Sequence, residues 1–104
     1  MPFKKAALAG YVDEDRGLVA ELTQGGKGGH TGWRIAAVDW HIEVRVWEQY
    51  PPHGDALVAQ AIDCSENFPG STADAEAIVW DLLDALRHAP FRLKGRMNPK
   101  DIKI

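Results

Sequence analysis

Residues 23–33, TQGGKGGHTGW, combine Gly25, Gly26, Gly28 and Gly29 with Lys27, His30 and Thr31. That mixture belongs to loops that wrap phosphate. A phosphate loop of the GxxxxGK[ST] kind uses backbone amides as a cradle, a lysine for the terminal phosphates and a hydroxyl for magnesium. Here Gly28 follows Lys27, and His30 stands before Thr31 where the lysine is required. The pattern GxGxxG can be laid over Gly26 and Gly28, but the following GWRIAAV reads as a strand. Without a helix N-terminus such a loop lacks the dipole that attracts an anion. The segment is expected to be a mobile connection between strands that binds no nucleotide, with Lys27 and His30 left to touch a partner.

A second constellation lies at 39–45. Asp39, His41, Glu43 and Arg45 alternate with apolar residues and share one side of a strand. His41 and Glu43 then stand side by side as metal ligands, with His30 or His53 as a third. The same alternation requires a polar side in any half-buried strand, and Glu43 and Arg45 suit cross-strand pairing there. Cys64 sits between Asp63 and Glu66, whose charge disfavours a thiolate. Ser65 and Ser71 lack a GxSxG elbow, and Asp13, Glu14 and Asp15 form a run suited to a solvated turn. No catalytic residue, metal site or cofactor is expected from these patterns.

Aromatic and basic residues point to partners instead. Four tryptophans are many for 104 residues. Trp40 and Trp80 fall on apolar faces, whereas Trp47 falls on the polar side of its strand beside Tyr50 and the turn PPHGD. Aromatics next to prolines make strong interface anchors. Arg45, Trp47, Tyr50, Pro52 and His53 are therefore the expected partner-binding residues. A bulge at Asp39 or Trp47 would instead turn Trp47 into the core. Charge is split along the chain, with six bases against one acid from Arg87 onward and six against fourteen before it. Arg92, Lys94, Arg96, Lys100 and Lys103 could meet an anionic partner, nucleic acid included, or lie over the acidic body.

The elements that would carry these residues are legible from periodicity. GSTADAEAIVWDLLDALRHAP places Ala75, Ile78, Val79, Leu82 and Leu86 on one helical stripe, widened by Trp80 and Leu83, after a cap at Ser71 or Thr72. Pro90 ends that helix. WHIEVRVWEQY alternates as a strand, and ALVAQAIDCS returns from it as the second arm of a hairpin. KKAALAGYV, DEDRG and LVAELTQ read as another hairpin with an acidic turn, although short helices at 4–23 fit the alanines too. GWRIAAV is a further strand or the start of a long bent one running to 47, and Phe91 to Leu93 suggest an edge strand. The expected fold is α+β: an antiparallel sheet of four to five strands with one C-terminal amphipathic helix packed on one face. Residues 1–95 form a single domain and 96–104 a mobile basic tail.

Hydrophobic residues are 45%, charged residues 26% and net charge −3, which suits a small soluble globular domain rather than a disordered chain. There is no h-region, no bilayer-length apolar run and no disulfide partner for Cys64, so a cytoplasmic location is the default. IEVRVW followed by AEAIVWDLLDALRHAPFRL resembles small phage tail-completion proteins, which pair an antiparallel sheet with helices and assemble as rings. It departs from them in an extra hairpin strand before the helix and in lacking an N-terminal helix. The resemblance implies an accessory or assembly role. The leading expectation is a non-enzymatic protein-interaction module, an accessory, assembly or inhibitor protein of a phage or mobile element, that meets a protein partner or itself. The alternatives are a nucleic-acid-associated protein using the basic segment and exposed aromatics, and a small metal-dependent enzyme centred on His41 and Glu43.

Overall fold

The computed structural model describes residues 3–7, 10–25, 30–49, 56–86, 92–93 and 102–103. Six strands follow one another in chain order: β1 (Lys4–Ala7), β2 (Gly10–Asp13), β3 (Leu18–Gln24), β4 (His30–Ala36), β5 (His41–Gln49) and β6 (Ala56–Cys64). Each pairs antiparallel with the one before it. Helix α1 (Thr72–Leu86) comes next, then two short strands, β7 (Arg92–Leu93) and β8 (Ile102–Lys103). Both lie parallel to β6, β7 against Ala56 and Leu57, β8 against Ile62 and Asp63.

Among the described residues the antiparallel part of the sheet therefore has six strands, not four to five. The extra strand comes from KKAALAGYV, which is two strands rather than one. Ala7 pairs directly with Gly10, so the chain reverses between them. No part of the described 4–23 segment is helical. GWRIAAV likewise ends as its own strand, because the chain bends at 38–39 before β5 begins. Asp39 lies in that bend, outside the strand to which its alternation had assigned it.

One side of the sheet carries the core. Leu18, Ala20, Trp33, Ile35, Ile42, Val44, Val46, Ala59 and Ile62 are buried there. They form one apolar cluster with Ala75, Ile78, Val79, Leu82, Leu83 and Ala85 of α1. Trp40 and Trp80 pack against it half-buried, Trp40 edge-on to Phe68 with ring centroids 4.9 Å apart. The spacing from Ala59 to Ile62 breaks a period of two, yet both are buried. A bulge accounts for this: Arg45 pairs with Ala61 and Val46 with Ala59, leaving Gln60 without a cross-strand partner on β5. A bulge inserts one residue and shifts every later side chain to the other face. That is why β6 alternates less cleanly than β5.

The helix start is fixed by reciprocal hydrogen bonds. The Asp74 backbone N–H donates to Ser71 Oγ at 3.3 Å, and the Ser71 N–H donates to Asp74 Oδ2 at 2.8 Å. Ser71 is thus the N-cap, with Asp74 in the role that Glu or Gln holds in a capping box. A second clamp ties sheet to helix. The Asp13 side chain is fully buried, and its Oδ1 accepts the backbone N–H groups of Asp15 and Arg16 at 3.1 and 3.2 Å. Arg16 Nε donates to Asp13 Oδ2, while its Nη2 reaches Asp81 Oδ2 on α1 at 2.7 Å. The acidic turn DEDRG is therefore not wholly solvated, since its first carboxylate holds the turn and an arginine bridges it to the helix.

Candidate functional site

The other side of the sheet is covered by no described element. Pairing registers arrange its side chains in rows that cross the strands. One row runs Gln24, Gly32, Arg45, Ala61 from β3 to β6. The next runs Glu21, Arg34, Glu43, Asp63. A third runs Val12, Val19, Ala36, His41 from β2 to β5. Glu21, Gln24, Arg34, Glu43, Arg45 and Asp63 are exposed, and Val19 is 41% exposed.

Between the first two rows lies a trough of about 240 Å³. Its walls include Gln24, Glu43, Arg45 and Asp63, and its floor falls at Gly32 and Ala61. Two small residues flank Arg45 across the strands, which is what makes the depression. Glycine suits position 32 for a second reason. A Cβ there would come within 2.7 Å of Thr23 Oγ1 and 3.3 Å of the Gln24 Cβ. Thr23 is the bulged residue of β3, since Leu22 pairs with Trp33 and Gln24 with Gly32. The trough was not visible in the sequence, because a strand glycine declares itself as a dip only once its cross-strand neighbours are known.

The expected partner-binding residues divide. Arg45 and Trp47 lie two apart on β5 and share this uncovered side, Arg45 exposed and Trp47 half-buried. The alternation of β5 runs unbroken from His41 to Trp47, so the bulge that would have buried Trp47 is on β6 instead. Tyr50, Pro52 and His53 lie outside the described residues, as do the glycine loop at 26–29 and Lys94, Arg96 and Lys100. Arg92 and Lys103 fall in β7 and β8. The glycine loop leads from β3 into strand β4, not into a helix.

The chemistry of the remaining candidates is constrained. Among the described residues, no group of three or more His, Cys, Asp or Glu side chains comes together to hold a metal ion. His41 Nδ1 lies 3.3 Å from Arg34 Nη2, and its backbone N–H donates to Ser65 Oγ at 3.0 Å. The Cys64 thiol faces the core; burial, and then the Asp63 charge, push its pKa up to about 11. It is held protonated at neutral pH, the opposite of an activated nucleophile. The ion pairs of Arg16 with Asp13 and Asp81 stand away from the trough. Arg45 and Glu43 form no ion pair among the described residues.

Comparison with protein-family models, with curated proteins and with solved structures finds no match. The resemblance to phage tail-completion proteins thus rests on the quoted residues alone. No helix among the described residues is long and apolar enough to cross a membrane.

Proposed function

We propose that the protein is a non-enzymatic interaction module, of the accessory or assembly kind, that binds another protein through the uncovered side of its sheet. The observation that carries this reading is the division of the sheet. One side is closed by core and helix, and the other presents Arg45 in a trough with Trp47 beside it on the same strand. A half-buried tryptophan beside an exposed arginine is the composition of an interface anchor, because both residue types dominate binding energy when water is excluded around them. Tyr50, Pro52 and His53, expected from the sequence to share in binding, belong to the same proposal.

Trp47→Ala tests it. The expected result is a loss of partner capture or self-association of at least tenfold, the scale of a central anchor residue. Cooperative thermal unfolding should persist, since the buried side of β5 is carried by Ile42, Val44 and Val46. An unfolded variant would make Trp47 a packing residue, and unchanged association would move the binding surface off this side of the sheet.

A further inference from the structure

The rows on the uncovered side are complementary to themselves. Consider a two-fold axis lying in the plane of the interface, along the trough and crossing β5 at Val44. It places each row of one copy against a different row of the other. Arg45 then faces Glu43, and Trp47 faces His41 and its neighbour Ala36. Arg34 falls over Gly32, Asp63 over Ala61 and Gln24 over Glu21, following the cross-strand registers. Opposite charges meet, and the long Arg34 meets a residue with no side chain. Every such contact occurs twice, as a two-fold interface requires.

We infer that the occupant of this surface is a second copy of the chain, docked face to face about that axis with Arg45 against Glu43 in both directions. The inference rests on the interaction-module reading and names its partner. Three observations on this side of the molecule converge on it. Its charge is mixed, with Arg34 and Arg45 against Glu21, Glu43 and Asp63, so a uniformly acidic or basic partner would leave like charges facing each other. Its relief suits the same axis, because the small Gly32 and Ala61 stand two residues from Arg34 and Asp63 on their own strands, so the rotation sets the larger residues over the small ones. The β1 edge of the sheet is unsuited to the other route to a dimer. β1 bears exposed Lys4 and Lys5 and a register break between Lys5 and Ala7, devices that block strand addition.

Two sheets packed face to face stand ~10 Å apart, a gap that an arginine and a glutamate can bridge together. Six strands at ~4.8 Å spacing give a face of roughly 500 Å² in plane, below the ~600 Å² per partner at which standard interfaces begin and in the range of weak, transient ones. Association is therefore expected to be concentration-dependent and to weaken with salt.

Charge reversal tests the pairing directly. Sedimentation equilibrium of the intact chain from low-micromolar to millimolar concentration should show a monomer–dimer equilibrium. Arg45→Glu puts glutamate against Glu43 twice, and Glu43→Arg puts arginine against Arg45 twice, so each variant alone should weaken the dimer at least tenfold. Mixed in equal amounts, the two variants place opposite charges at both contacts, and they should form a 1:1 heterodimer as tight as the wild type within a few-fold. Circular dichroism melts check that both variants fold. A wild type that stays monomeric over the whole range overturns the inference. So does a dimer that persists in both single variants, or a mixture that stays monomeric. If the wild type is monomeric but captures a different protein in a way that Trp47→Ala abolishes, the second-copy assignment falls and the interaction-module reading stands.

Discussion

Leu82→Ala is expected to lower stability by about 2–5 kcal/mol, the range for a leucine removed from a packed core. Leu82 is fully buried in the C-terminal half of α1, in the same apolar cluster as Ile35, Ile42 and Ile62 of the sheet. Truncation leaves a void that its neighbours can fill only in part, because Val79, Leu83 and the sheet residues are themselves buried. For a domain of this size the loss corresponds to a melting point lower by roughly 10 °C or more. A urea or thermal melt that barely moves would mean that the helix does not pack on the sheet through this residue.

Asp13→Asn is expected to cost about 2–3 kcal/mol at neutral pH, as for hydrogen bonds to a charged group. The value sits below the range for a fully buried ion pair because the Arg16 side chain is 36% exposed and keeps part of its water. Burial pushes the Asp13 carboxyl up, but the Arg16 side chain and the backbone N–H groups of Arg16 and Asp15 outweigh it, so its pKa lies below the ordinary 3.8. A carboxyl that holds its proton less tightly when folded stabilises the fold above the unfolded pKa. That stabilisation fades as the pH falls below about 4, toward the depressed folded value. The gap between wild type and Asp13→Asn should therefore be widest at pH 6–7 and shrink below about pH 4. Urea melts at both pH values give the answer; an equal gap at each would show that the carboxylate charge plays no part in the clamp.

The elements with strong periodicity were legible before any coordinates. β5 keeps its alternation from His41 to Trp47, and the stripe Ala75, Ile78, Val79, Leu82 lies on the buried side of α1. What escaped depended on non-local pairing. The reversal between Ala7 and Gly10 needs β2 to find β3 before it shows itself, since the alanines around it fit strand or helix. The bulges at Thr23 and Gln60 are defined only by the opposite strand, and each hides a change of face that the local pattern reads as disorder in the alternation. The candidate surface was half legible. Polar alternation places Arg45 and Trp47 on one side, but the trough depends on Gly32 and Ala61 arriving on either side of Arg45 from positions 13 and 16 residues away in the chain. The sequence around Asp13 suggests only a solvated acidic run, because nothing in DEDRG announces that Arg16 will fold back over its first residue.

The order of the strands has a kinetic consequence. From β1 to β6 every strand lies beside its predecessor in the chain, so each antiparallel pairing closes only a short loop. β7 can join β6 only after the chain has passed through all of α1, and β8 joins from still farther along. Closing those parallel contacts costs more chain entropy before any pairing repays it. The meander from β2 to β5 is thus expected to form first, with α1 closing over it and β7 and β8 arriving last. Pulsed hydrogen exchange during refolding would read this as early protection of amides in β3, β4 and β5. Earlier protection in β7 or β8 would mean that the helix and its parallel strand, rather than the hairpins, nucleate the domain.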